Sequence, residues 1–226
     1  MTPKKGPTIS VTPKKGPTID VTPKNGPTID VTPKMGPTWK VENIVASVTL
    51  YVVIPLVQLS KTLKDAEYNP DEFPGLIYYM SRNPKRSVLI FGTGKLVCAG
   101  AKNMEQIKEM VNNVKEILKK IDIHVTKEPL IEVQNVVASG SLGVDVNLES
   151  IAFELENAEY EPEQFPGLVY RMIQPRVAVL LFGTGRVVVA GAKEPAQVEE
   201  ALWNLVERLK ILKQLPQDYP KKPGSK

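Results

Sequence analysis

The sequence predicts an α+β fold in which two like halves share one ten-stranded antiparallel sheet, with four helices on one face. Three observations carry that expectation. From Val41 the chain repeats itself: VENIVASVTL (41–50) answers VQNVVASGSL (133–142), and DAEYNPDEFPGLIYYM (65–80) answers NAEYEPEQFPGLVYRM (157–172). FGTGKLVCAGAK (91–102) then answers FGTGRVVVAGAK (182–193), with one extra residue in the first copy's loop. Chance does not supply such agreement, so the chain is internally duplicated. Within each copy, several short β-branched runs precede one long amphipathic segment, the order of a β-α-β-β-β-β-α unit. Lastly, the strands are apolar on both faces, although four helices can cover only one face of ten strands.

The elements follow in order. Residues 1–40 are four decamers, MTPKKGPTIS, VTPKKGPTID, VTPKNGPTID and VTPKMGPTWK. Two prolines and a glycine in each exclude helix and leave little to bury, which predicts a disordered, partly polyproline-like tail over 1–38. Seven lysines against two aspartates give residues 1–40 a charge of +5. The tail therefore reads either as a solvated linker or as a nonspecific phosphate-binding arm. Residues 39–126 and 127–215 read as the two repeats, and 216–226 as a basic C-terminal tail.

Each repeat opens on a strand, NIVAS or NVVAS, and continues into a short helix near 55–65 or 147–156. Two phenylalanine pairs come next, Phe73 with Phe91 and Phe165 with Phe182. They are centred on 82 and 173.5, inside the proline-containing loops SRNPKR and IQPR where a hairpin should turn. Each pair is therefore expected side by side on antiparallel strands. The long helices follow. Met104, Ile107, Val111, Val114, Ile117, Leu118 and Ile121 recur at three- and four-residue spacing, as do Val198, Ala201, Leu202, Leu205, Val206, Leu209 and Leu212.

Leu96-Val97-Cys98-Ala99 and Val187-Val188-Val189-Ala190 are apolar at successive positions, whereas a sheet covered on one side ordinarily turns polar residues outward. An extended apolar face is left open, and such a face implies a partner. Cys98 alternates away from Val97 and Ala99 and belongs under the helices. With one cysteine and one histidine, His124, the chain has almost no material for a disulfide, a metal site or a histidine-based triad. No enzyme, metal or cofactor is expected. No apolar run reaches membrane-spanning length and no signal segment is present, which predicts a soluble, unexported protein. The net charge of +4, once residues 1–40 are set aside, becomes −1 for residues 41–226. Nucleic-acid binding would need the basic residues gathered on one surface. FGTGK and FGTGR are too short for a phosphate-binding Walker loop.

In NIVAS/NVVAS, EYxPxxFPG and LIF/LLF with GK/GR and GAK, taken in that order in each half, the chain resembles the TATA-box-binding protein family, closest in style to archaeal forms. The resemblance covers about residues 38–213 and spares the decamers. It implies a saddle with a pseudo-twofold axis, helices on the convex face, and a concave face that binds the minor groove of A·T-rich promoter DNA. It further implies recruitment of transcription factor B and RNA polymerase, in the cytoplasm at the nucleoid of an archaeon or in a eukaryotic nucleus. The phenylalanine pairs would wedge into base steps; the kink of about 80° is the family's own property and does not follow from these residues. Four inserted phenylalanines return roughly 6–12 kcal/mol, and unstacking plus bending cost about as much. Net affinity must then come from the rest of the face.

By motif match, Val45, Leu89, Val97, Val137, Leu180 and Val188 form the apolar floor, and the amides of Asn43 and Asn135 donate to base acceptors. Taken in isolation, without the resemblance, these asparagines read as edge or turn positions. Lys95, Lys102, Arg171, Arg186 and Lys193, with Thr93 and Thr184, match phosphate-contacting positions. Ala99 and Ala190 stand where the family usually has Thr or Ser, which implies weaker A·T discrimination. Tyr79 replaces the basic residue found at Arg171, with Arg82 able to compensate. Glu161 and Glu163 match the acidic loop that meets transcription factor B. Two other readings stay open: a specialised paralogue, or an interaction scaffold forming a homodimer through the concave face. A substrate-gripping module of the related fold, attached in other proteins to catalytic domains, is a third class.

Overall fold

The computed structural model describes residues 36–224. The decamers up to residue 35 lie outside the described residues, so the expectation of a disordered tail is untested. Fourteen elements follow in two matching series. The first is β1 (Thr38–Thr49), α1 (Leu56–Thr62), β2 (Ala66–Glu67), β3 (Gly75–Arg82), β4 (Lys85–Phe91), β5 (Lys95–Ala101) and α2 (Met104–Lys119). The second is β6 (Leu130–Ser141), α3 (Leu148–Glu154), β7 (Ala158–Glu159), β8 (Gly167–Met172), β9 (Val177–Phe182), β10 (Arg186–Ala192) and α4 (Pro195–Ile211). The strands form one ten-stranded antiparallel sheet in the order β2-β3-β4-β5-β1-β6-β10-β9-β8-β7. The order is palindromic in the repeat, because β1 and β6 pair with each other at the centre.

Period-two alternation divides the sheet cleanly. Ile44, Ala46, Val48, Leu76, Val88, Ile90, Leu96 and Cys98 are at most 3% exposed, and Val136, Ala138, Leu168, Val179, Leu181, Val187 and Val189 match them in the second half. All face the helices. The apolar stripes of α2 and α4 close the layer, with Ile107, Met110, Leu118, Val198, Leu202 and Leu205 at most 1% exposed. Cys98 lies in this core as expected, and burial pushes its thiol up to about 12. The intervening residues, Val45, Leu89, Val97, Val137, Leu180 and Val188 among them, are only half-buried. No described helix covers them.

The short helices are tighter than the sequence spacing suggests, at 56–62 and 148–154, because Leu63 and Leu155 return to extended backbone at their C-caps. Tyr219, expected in the C-terminal tail, is 2% exposed and donates its hydroxyl to the Leu142 carbonyl at 2.7 Å. The ammonium of Lys210 holds the carbonyls of Tyr219 and Pro220. The packed body thus runs past residue 215.

Candidate nucleic-acid interface

The open face is built of rows that cross the strands. One row runs Ile77, Leu89, Val97, Ser47; its counterpart runs Val169, Leu180, Val188, Ser139. Beside them lie Tyr79, Ser87, Ala99, Val45, Asn135 and the matching Arg171, Ala178, Ala190, Val137, Asn43. Every apolar floor residue named from sequence falls on this face. Each half's row ends on an asparagine of the other half, which places Asn43 and Asn135 on the central strands rather than at an edge or a turn.

The asparagines are fixed by a backbone irregularity. Gly100 and Gly191 are extra residues in β5 and β10, at φ of 95° and 99°, and their N–H groups fall out of the strand ladder. A side chain at 100 would also meet the Lys85 carbonyl at 2.2 Å, so glycine is required there. Asn43 Oδ1 accepts from Gly100 N–H at 2.9 Å, and Asn135 Oδ1 accepts from Gly191 N–H at 2.8 Å. Since a backbone N–H can only donate, the amide oxygen is committed, and each NH2 group has no partner among the described residues. Two donors therefore stand at the middle of an apolar floor.

At each end of the floor the phenylalanine rings meet edge to face, with centroids 5.8 Å apart in both Phe73–Phe91 and Phe165–Phe182. The expected side-by-side strand pairing is corrected in one respect. Phe91 and Phe182 are in strands, but Phe73 and Phe165 precede β3 and β8, and the residues opposite Phe91 and Phe182 are Gly75 and Gly167. The first ring of each pair folds back over the glycine; a Cβ on Gly167 would sit 2.7 Å from Phe165 Cε1 and 3.0 Å from Phe182 Cε1. Midpoint arithmetic located the hairpins and missed this two-residue overhang. FPG carried the signal, since the absent side chain is what lets the rings meet. Phe165 remains 38% exposed.

Charge surrounds the floor. Thr93 and Lys95 lie in and after the β4–β5 turn, and Thr184 and Arg186 in and after the β9–β10 turn; all four are exposed. Lys102 and Lys193 follow β5 and β10, their backbone N–H groups held by Gln106 and Gln197 of the next helix. Arg171 lies 3.4 Å from Glu159 in an exposed pair. Opposite it, Arg82 stacks over the Tyr79 ring at 4.8 Å with Lys85 at 5.7 Å, which returns positive charge to the position where Tyr79 replaced it. A hollow of about 900 Å³ beside the second pair is lined by Lys40, Ser139, Phe182, Thr184, Arg186 and Val188. Glu161 and Glu163 are exposed in the loop before β8; Glu161 accepts a hydrogen bond from Gln164.

Glu42 was missed. Its carboxylate accepts from Ser139 Oγ at 2.5 Å and pairs with Lys40 at 2.9 Å and Lys102 at 3.4 Å. These contacts, the Ser139 hydroxyl first and then Lys40, hold it down at about 2. The repeat held the clue, because the matching residue is Gln134, an uncharged side chain that donates to Ser47 Oγ at 2.8 Å. Two of the first half's lysines are thus partly neutralised.

A family model described as transcription factor TFIID (or TATA-binding protein, TBP) matches residues 38–121 and 130–212. The chain belongs to the TATA-box-binding protein family. It is 50% identical over 174 residues to the TATA-box-binding protein of Pyrobaculum aerophilum, covering 77% of this chain and 87% of that one. The Archaeoglobus fulgidus TATA-box-binding protein is 48% identical over 175 residues, covering 76% and 95%. Among solved structures, Methanococcus jannaschii TBP superposes with a TM-score of 0.73 at 41% identity, covering 76% of this chain and 98% of that one. The twice-matched family model falls on the two halves read from the sequence. As a member of this family the protein is a transcription initiation factor and not an enzyme.

Proposed function

We propose that the open face binds the minor groove of A·T-rich promoter DNA, kinks it by inserting Phe73 with Phe91 and Phe165 with Phe182, and then recruits transcription factor B and RNA polymerase. The observation that carries this reading is the pairing of an apolar floor with two amide donors at its centre that have no partner among the described residues. In the minor groove A·T pairs present only acceptors, whereas G·C pairs add a donor amine that an apolar floor leaves unpaired. Asn43 and Asn135 supply donors to match, and the valines and leucines supply the rejection. Lys95, Arg186, Lys193, Arg171, Arg82 and Lys85 supply phosphate contacts, with Lys102 after it releases Glu42. Thr93 and Thr184 add hydroxyl donors. Ala99 and Ala190 add surface but no hydrogen bond, so discrimination rests more heavily on the asparagines.

The test is selection of bound sequences from random DNA, with affinity for the best ligand read at two salt concentrations. A·T-rich recovery with a negative salt slope supports the reading; recovery of no preferred sequence overturns it. Glu161 and Glu163 are proposed to meet transcription factor B. Glu161→Lys with Glu163→Lys should weaken the ternary complex and spare binary DNA binding; equal loss of both overturns that role.

A further inference from the structure

Among the differences between the two halves of the floor, one sets a hydroxyl against a methyl group. The row ending on Asn135 holds Ser87 where the row ending on Asn43 holds Ala178, and each stands directly opposite an alanine, Ala99 or Ala190. The other floor serines are already engaged, Ser47 by Gln134 and Ser139 by Glu42. The Ser87 hydroxyl, half-buried on the open face, has no partner among the described residues.

We infer that Ser87 is a specificity-determining residue: it lets the first half lie over a G·C pair that the second half excludes, and so fixes which way round the protein lies on DNA. The inference rests on the minor-groove reading above. A hydroxyl donates to the acceptors of an A·T pair or accepts from the guanine amine. The Ala178 methyl does neither, and a guanine amine beneath it would be buried without a partner, the costly case. A duplex with one G·C pair in an otherwise self-complementary A·T-rich site should therefore be bound with the first half over that pair.

The experiment uses the full chain with a donor dye on Lys108→Cys, an exposed position on α2, and an acceptor on one DNA end. Cys98, wholly buried, stays unlabelled. On the fully self-complementary duplex the two orientations are equal by symmetry. A G·C pair scanned through one half-site should give, at one position, about a fivefold excess of the orientation with the first half over it, the worth of one hydrogen bond near 1 kcal/mol. Ser87→Ala should return the ratio to one, and Ser87→Ala with Ala178→Ser should invert it. If both variants bind A·T-rich DNA with the parent's orientation ratio, or if the parent shows no excess at any position, the inference is overturned and the minor-groove reading stands. If the parent does not prefer A·T-rich over G·C-rich duplex, the minor-groove reading itself fails and the inference with it.

Discussion

Gly167→Ala tests the wedge geometry through a residue that touches no ligand. Its φ lies outside the left-handed region, so alanine adds no backbone strain; the only consequence is the methyl group. That methyl would sit 2.7 Å from Phe165 Cε1 and 3.0 Å from Phe182 Cε1, inside contact distance, and the freer Phe165 ring must move. Folding loses at most the edge-to-face contact, about 0.5–1.5 kcal/mol, or a few degrees in Tm at about 2–4 °C per kcal/mol. DNA binding loses the burial of one inserted ring, roughly 1.5–3 kcal/mol, which is about a ten- to hundredfold rise in Kd. Thermal melting with fluorescence anisotropy on an A·T-rich duplex separates the two effects. A variant that melts within a few degrees of the parent and binds equally well would refute the claim that the two stacked-in rings act as one wedge.

Other outcomes follow from the same contacts. Glu42→Gln, which copies Gln134, frees Lys40 and Lys102 for phosphates. Affinity should rise at low salt and the slope of log K against log salt should steepen by about 1–2; an unchanged slope counts against the Glu42 cluster as a brake. Because the Glu42 carboxyl is depressed from 4.5 to about 2, its stabilising effect is complete above pH 4.5 and lost as pH falls through 2. The gap in Tm between parent and Glu42→Gln should close over that window in an acid melting series. Tyr219→Phe strands the buried Leu142 carbonyl and should cost about 1–3 kcal/mol, seen as a lower denaturant midpoint. No change would mean that water replaces the tyrosine hydroxyl.

Much of this was legible in the sequence because duplication lets one half check the other. Alternation in Leu96–Ala99 and Val187–Ala190 marked two apolar faces, and the helix spacing showed that only one could be covered. The hairpins followed from the proline loops. What stayed hidden was set by single-residue offsets that pattern does not encode. The overhang of Phe73 and Phe165 depends on what Gly75 and Gly167 lack, and the orientation of Asn43 and Asn135 depends on bulges at Gly100 and Gly191 that slip the ladder by one residue. Glu42 and Ser87 were visible as mismatches between the copies, yet their meaning required knowing which cross-strand residues face them. The packing past residue 215 was missed because Tyr219 is an isolated aromatic among prolines and charges, with no period to reveal it.

Four of the five phenylalanines are paired on the open face, while Phe153 on α3 stands 92% exposed away from any pair. The end-to-end distance of a dye-labelled A·T-rich duplex, read by energy transfer with the parent, Phe165→Ala/Phe182→Ala and Phe153→Ala, tests the central claim against its own control. The account predicts a sharply bent duplex with the parent and Phe153→Ala and a nearly straight one with the double variant. Equal bending by all three proteins would contradict it.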